Sequence, residues 1–551
     1  MINSKRKHSE TDKVDNNPIQ TSQEETDCAV QHKGISAADI SICASVLSAF
    51  DDKNSFLSVK SSEYAILRPL VYRLFTLDKK YKAERRRDRR QEFKTNDQKK
   101  KSLTVLRSSR AKALKHLQLQ NILVPDGVVV ETKDSPTPEL FKQVLNLPIM
   151  CYICKVKYNT LHFFYDRLCP TCADFNYQKR SQTVDMSNKI ALVTGGRIKI
   201  GYRVVLKLLR SNCFVISTTR FPVDFVRRLK AETDYDQWKL NIHVYGVDFR
   251  FIDVVENFCQ LLLDKYDKLD IIINNACQTV RRPAPFYAHL IAHERVNYAL
   301  LSSDEHYILG NNNEFWQHQS IAYSSRQNQQ LAITASHEDE GTLTSLCCES
   351  TQINHVPVSP TSVVRDFPLA AYDVNQQQID LRTQNSWTMK LGDLSTVEIN
   401  EVLTINTLVP FILNSRLKSL MSKRQDDMKF IINVSAMEGS FSRRNKTDKH
   451  PHTNAAKAAL NMMTRTSAND YVKSNIYMVS VDTGWINSEN PVHMAMRIMQ
   501  KQDFQTPLDE EDGASRILDP IVTAFHNIAN GVTELNIPYG YFLKDYKKCQ
   551  W

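Results

Sequence analysis

The chain has 551 residues, enough for two or more domains and a sizeable core. Its 71 lysines and arginines outnumber 61 acidic residues, and the excess is concentrated upstream of residue 188, which suits acidic or phosphate-bearing partners. No run of eighteen apolar residues suggests a membrane span, MINSKRKHSETDK lacks a secretory apolar segment, and the twelve cysteines form no small disulfide scaffold, so a reducing compartment, cytoplasmic or nuclear, and no membrane partner are expected.

Residues 1–35 are rich in Ser, Thr, Asp, Gln and Lys and predict a disordered tail. Residues 36–145 predict a basic helical region. Its apolar positions Leu67, Leu70, Val71, Leu74 and Phe75 fall at mixed helical spacing. The run 79–101 carries Arg85, Arg86, Arg87, Arg89 and Arg90. With few aromatics it reads first as a solvated helix with i,i+4 pairing, and second as a phosphate-binding or nuclear-address segment.

Residues 146–182 hold Cys151, Cys154, Cys169 and Cys172 at the spacing C-x2-C-x14-C-x2-C. Each pair of thiolates two residues apart can share one tetrahedral ion, and two pairs close a zinc site with no open position, which is structural and not catalytic. His162 lies between the pairs and is not expected to bind the metal. The module is similar to zinc-ribbon or treble-clef modules, whose partners include proteins and nucleic acids, and the spacing does not choose between them.

From residue 188 the chain predicts an α/β domain, a doubly wound parallel sheet. KIALVTGGRIKIG (189–201) is an apolar β-branched strand, a tight turn at Gly195 and a helix with an apolar face of Val204, Val205, Leu208 and Leu209. Such a turn presents backbone N–H groups and a helix N-terminus to a pyrophosphate. Thr194, Gly195, Arg197, Lys199, Ile200 and Gly201 are its candidate cofactor residues, with Lys199 standing where the TGxxxGxG pattern has its middle glycine. The second strand ends Thr218, Thr219, Arg220, with no carboxylate to grip a ribose 2′-hydroxyl, which favours NADP over NAD.

These segments, with YGVDFR, LDIIINNAC, FIINVSAMEGS and HTNAAKAAL, resemble the short-chain dehydrogenase/reductase family over residues 189–297 and 371–551. The resemblance implies a hydride-transferring oxidoreductase using NADP(H) on a small-molecule carbonyl or alcohol that the sequence does not name, often assembled as a homo-oligomer. It assigns Asp248 to the adenine end, Asn275, Ala276 and Lys457 to the cofactor, Asn406 to the family's helix asparagine, and Ser435 and Lys457 to catalysis. VDTGWI matches the segment beside the nicotinamide, with Gly484 kept, Thr483 for proline and Ser488 for a following threonine. The family's tyrosine is replaced by Thr453, an aliphatic hydroxyl and a poorer acid than a phenol. Three readings follow: Thr453 or His452 supplies the proton, with His450, Tyr287 or a relayed water behind them; or the substrate needs only hydride transfer and binding, with Ser435 and Lys457 polarising it; or the domain binds nucleotide without catalysis and acts through its zinc module. Arg281 and Arg282, and Arg443 and Arg444, are candidates for an anionic group. Residues 298–370, rich in Ser, Asn, Gln and His and including Cys347 and Cys348, predict a polar insertion that is mostly disordered.

Overall fold

The computed structural model describes residues 36–48, 67–119, 141–297, 300–310, 312, 315, 342–343, 365–373, 375–443, 445–532 and 535–551. The expectations for residues 1–35, for Arg444, for Cys347 and Cys348, and for most of the 298–370 stretch lie outside these residues. Two compact units divide the chain, Met1–Arg90 and Gln91–Trp551.

In the first unit the described residues are helical. Helix α1 is Ala37–Ser48, and helix α2, Leu67–Ser102, continues past the unit boundary. Its residues 67–90, within this unit, make a rod of about 36 Å at 1.5 Å per residue. The basic run lies on this rod, exposed from Lys79 to Arg90, with an i,i+4 pair between Lys82 and Asp78 at 2.8 Å.

The second unit opens with a small cysteine module. It contains helix α3 (Val105–Leu119), the antiparallel strands β1 (Val144–Met150) and β2 (Lys157–Thr160), and helix α4 (Pro170–Ser181). The module reaches back into the end of α2. There the buried carboxylate of Asp97 accepts the backbone N–H groups of Asn146 (2.7 Å) and Leu147 (2.9 Å). Leu106, Leu145, Tyr165 and Leu168 make its core.

The large domain is a single eight-stranded sheet ordered β12-β11-β10-β9-β6-β3-β4-β5. Its strands are β3 (Ile190–Thr194), β4 (Phe214–Thr219), β5 (Ile242–Gly246), β6 (Ile271–Asn274), β9 (Lys429–Ser435), β10 (Ile476–Asp482), β11 (Phe542–Lys544) and β12 (Lys547–Cys549). All pair in parallel except β12, which returns antiparallel along β11. Such strands are buried on both faces, which explains their near-continuous Ile and Val runs. On one face pack α5 (Lys199–Leu209), α6 (Pro222–Lys230) and α12 (Glu510–Ala529); on the other pack α7 (Ile252–Lys265), α9 (Thr396–Arg416) and α10 (Pro451–Tyr471). Between β6 and α9 runs α8 (Ala284–Glu294), and α11 (Val492–Gln502) precedes α12.

Helix α9 is the one described helix long and apolar enough to cross a membrane, but it carries the buried polar residues Glu401, Asn406 and Asn414 and packs on the sheet. The polar stretch after residue 297 begins differently from the sequence expectation. Residues 303–310 are helical and place Ile308 and Leu309 in the core, and β7 (Val296–Asn297), just before the stretch, pairs antiparallel with β8 (Thr342–Leu343) within it. Residues 365–390 then turn back over the carboxyl ends of the strands, a placement that their polar composition conceals.

Candidate functional site

The strand order reverses between β3 and β6, so the loops after Thr194 and Asn274 diverge and leave a crevice. A cleft of about 1580 Å³ opens there. Ten basic and six acidic side chains line it, a balance suited to a polyanionic ligand.

The turn after β3 and the end of β6 are locked together. Thr194 Oγ1 accepts the N–H groups of Asn275 and Ala276, each at 3.0 Å, and Asn275 Nδ2 donates to the carbonyls of Thr194 (3.0 Å) and Gly195 (3.1 Å). Gly195 has φ +70°, and a side chain at Gly201 would stand 2.2 Å from the Gly195 carbonyl oxygen and 2.5 Å from Asn275 Nδ2. A Gly201→Ala variant is therefore expected to lose about 1–3 kcal/mol of stability through forced displacement of the turn, read as a lower midpoint in urea unfolding. Lys199 adopts φ +54°, the left-handed conformation that favours glycine, and so keeps the backbone course of the glycine it replaces. The N-cap of α5, Ile198, supplies no side-chain acceptor, so the first amides of this helix remain available to an anion.

Around the turn, three sequence candidates behave differently. Arg220 lines the cleft at the end of β4, stacked on the Tyr287 ring (4.5 Å) and donating to its hydroxyl at 3.0 Å. Arg197 also lines the cleft, but its guanidinium is committed to buried Asp224 (2.7 Å) and to Gln377 Oε1 (3.0 Å). It ties Gln377 to the turn, so its guanidinium has structural partners as well as a place on the cleft wall. Asp248 also lines the cleft, with its carboxylate held by Arg250 at 2.6 Å. Burial would raise its pKa, but the Arg250 guanidinium outweighs burial and lowers it.

Across the cleft, β9 ends at Ser435 and the first turns of α10 bring Thr453 and Lys457 to the same wall. Lys457 Nζ donates to the Val434 carbonyl at 2.8 Å. Ser435 Oγ and Thr453 Oγ1 are buried and, among the described residues, have no hydrogen-bond partner. A buried polar atom left unmade costs about 1–3 kcal/mol, so two on one cleft wall mark where ligand atoms belong. Asn406 sits in a single π-helical turn, Thr404–Leu408, within α9. It exchanges both amide bonds with the Gln278 backbone (2.8 and 2.9 Å), fixing the loop after β6.

Helical spacing separates the two histidines. Positions 450, 453, 454 and 457 share one face, and all four line the cleft; His452 is turned about 100° away from Thr453 and does not. His452 is buried. This corrects its expected place as the relay beside Thr453. His450, the N-cap of α10 at φ +44°, stacks on Trp387 with ring centroids 3.9 Å apart, and its Nδ1 lies 2.9 Å from the Trp387 carbonyl oxygen. A carbonyl only accepts, so Nδ1 carries the proton and the neutral ring's lone pair is on Nε2. Burial lowers the His450 pKa below its ordinary value. No spacing in the sequence marked Trp387, because it lies between the polar insertion and α9.

The anion candidates divide similarly. Arg282 and Arg382 line the cleft and share the carboxylate of Asp380, whereas Arg281 pairs with Glu401 at 3.1 Å outside the lining. Arg443 lines the cleft and pairs with Glu438 at 2.8 Å. Gly484, at φ +83°, and Ser488 lie on the far wall. The four module cysteines are free thiols whose sulfurs all lie within 4.8 Å of one another. His162 is apart from them, its Nδ1 accepting the Phe164 N–H at 3.0 Å.

Residues 189–293 match the family model described as short chain dehydrogenase. An uncharacterised protein of Acanthamoeba polyphaga mimivirus is 29% identical over 383 residues, 67% of this chain and 71% of that one. The (+)-neomenthol dehydrogenase of Capsicum annuum is 30% identical over 93 residues, 16% of this chain and 29% of that one. Among solved structures, the carbonyl reductase Sniffer of D. melanogaster is 16% identical with a TM-score of 0.37, covering 66% of this chain and all of that one.

Proposed function

We propose that the chain is a divergent short-chain dehydrogenase/reductase that transfers hydride between NADP(H) and a carbonyl or alcohol, with a structural zinc in its cysteine module. The observation that carries this reading is the pair of unpartnered hydroxyls, Ser435 and Thr453, beside Lys457 in a basic cleft at the sheet's switch point. The family match over residues 189–293 supports it for the cofactor half.

The residues present fit the cofactor. The bare Gly195–Gly201 cradle and the uncapped α5 amides suit the diphosphate, and Lys199 and Arg220 bring positive charge to that end. When bound, the nicotinamide supplies or accepts the hydride. Ser435 Oγ orients the substrate oxygen, and Lys457 holds the ribose side. In the oxidising direction the alcohol proton passes to Thr453 and, through a relaying water, on to His450 Nε2 on the same helix face. With its pKa lowered, the imidazole is neutral at pH 7 and suited to accept that proton.

Arg220 is the residue expected to distinguish the two nicotinamide cofactors. Hydrogen bonds to a charged group contribute about 1.5–3 kcal/mol. Arg220→Ala should therefore weaken NADPH binding by roughly 10- to 100-fold and leave NADH binding near its starting value, as measured by titration calorimetry. The whole reading is tested by saturable NADPH binding followed by a turnover screen over carbonyls and alcohols. Binding without turnover would favour a nucleotide-binding protein whose Thr453 marks lost catalysis, and absence of binding at millimolar concentration would overturn both.

A further inference from the structure

We infer that the four-cysteine module is a metal-set clamp on one wall of the cleft, so that a tetrahedral divalent ion of the zinc class governs the order of residues 484–508. The metal part rests on sulfur geometry. With Zn–S bonds of about 2.3 Å, tetrahedral ligands stand about 3.8 Å apart. Cys154 and Cys169 Sγ are 3.6 Å apart, all four sulfurs lie within 4.8 Å, and Cys151 Sγ accepts the Cys169 N–H at 3.3 Å.

The clamp part rests on what the cysteine loops touch. Tyr152, between the first two cysteines, lines the cleft, and its hydroxyl accepts the Trp485 N–H at 3.1 Å. Trp485 follows Gly484, whose own N–H is held by Asp482 at 2.8 Å; the other oxygen of that carboxylate accepts the Met437 N–H at 2.7 Å, just beyond Ser435. At the far end of the wall, Arg107 pairs with Asp503 at 2.5 Å and with Asp166, from the loop between the cysteine pairs, at 2.6 Å. Arg110 donates to the carbonyls of Thr506 (2.6 Å) and Leu508 (2.8 Å). Ile486 and Leu508 are buried in the module's core with Cys151 and Leu168. The segment is thus pinned at both ends by the module, while α11 between them has no fully buried residue among those whose side chains are described. The loop Cys151–Val156 is otherwise held by few bonds, chiefly Cys151 N–H to the Val156 carbonyl at 2.9 Å and Tyr152 N–H to the Arg167 carbonyl at 2.9 Å. Fixing four sulfurs around one ion is what sets the Tyr152 hydroxyl against Trp485.

The test uses the full chain, zinc-loaded, chelator-stripped under reducing conditions, and reloaded, with hydrogen exchange as the primary readout. Exchange within 485–508 should quicken by more than about tenfold on stripping and recover with zinc, while β3 and β6 stay protected. Unchanged exchange there with the zinc gone would overturn the clamp, as would a protein that takes up no zinc. Should stripping unfold the whole domain, Tyr152→Phe decides: it keeps every cysteine, should keep full zinc content, and should quicken exchange at the Trp485 amide by roughly fivefold, one net hydrogen bond; an unmoved amide overturns the proposal. The NADPH arm rests on the cofactor reading above. If zinc-loaded protein binds no NADPH, that reading fails while the exchange result still judges the clamp. If it binds, stripping should weaken binding by about tenfold, and equal affinity with and without zinc counts against the clamp.

Discussion

Turnover by a Ser435→Ala variant should fall by about 10²–10⁴-fold while its NADPH affinity stays within about twofold of the parent. The split follows from position. Ser435 Oγ is buried at the end of β9, without a hydrogen-bond partner among the described residues, on the wall opposite the Gly195–Gly201 turn. A hydroxyl with no protein partner contributes little to the resting fold, so its removal should not lower stability. Its donor is instead available to a substrate oxygen whose charge grows during reaction, and the loss therefore falls on turnover. His450 gives the same experiment a second axis. Because burial lowers its pKa, alcohol oxidation should rise with pH through a midpoint below that of an ordinary imidazole and then level off. His450→Gln should remove that inflection, and His452→Gln should leave it in place. A Ser435→Ala variant with undiminished turnover, or one whose NADPH binding fails in parallel, would reject the assignment.

The parts of the site set by backbone chemistry were legible in the sequence. Gly195 and Gly201 are required because a Cβ at either position meets backbone or Asn275, and the apolar strands must be continuous because both faces are covered. Four cysteines at metal spacing come together because one pair sits in a turn, Cys151–Cys154, and the other at the N-terminal turn of α4. What was not legible came from long-range docking. Arg197 was read as a cofactor residue because it lies in the turn, but Asp224 and Gln377, 27 and 180 residues away, claim its guanidinium. His452 was preferred over His450 by adjacency to Thr453, whereas a helix puts i−3 on the shared face and i−1 off it. Residues 365–390 were hidden by composition. Their polar side chains bond to one another and to the cleft, as when Gln378 Nε2 donates to the Pro368 and Ala371 carbonyls, and do not form an apolar face. The same limit applied to the cysteine module, whose spacing predicts a closed metal site but cannot show Tyr152 reaching Trp485.

Stability should fall by on the order of 3–5 kcal/mol between about pH 5 and about pH 8 through one buried carboxyl, Glu294, and Glu294→Gln should abolish that loss. Glu294 caps the N-terminus of α6, its two oxygens accepting the N–H groups of Val223 (3.1 Å) and Asp224 (3.0 Å). Those bonds favour its ionised form, but burial opposes ionisation more strongly, and the neighbouring Asp224 charge adds to it; the Glu294 pKa is pushed up to about 8. The available cations go to Asp224. Burial would raise that group too, but Arg197 at 2.7 Å and Arg228 at 2.8 Å outweigh it and hold it at about 2, with His293 a further 3.2 Å neighbour. Two adjacent carboxyls thus divide, one keeping the charge and the other the proton. Below the unfolded value of 4.5 both folded and unfolded chains hold the Glu294 proton and its contribution is complete. As pH rises toward 8 the unfolded chain releases the proton first, so the folded state loses ground until both are ionised. Asp224 acts in the opposite sense, its contribution lost only as pH falls through about 2, outside this window. His243, lowered to about 4 by burial, adds stability as pH rises through about 4 to 6.5, and comparison with the variant cancels it. Urea midpoints taken at about pH 6 and about pH 9 should converge in Glu294→Gln and diverge in the parent. A parent with flat midpoints, or a variant weakened equally at both values, would mean the carboxylate is ionised and acts as an ordinary cap. The expected loosening also reaches the cleft, because the α6 terminus that Glu294 caps presents Asp224 to Arg197, and Arg197 holds Gln377 on the cleft wall.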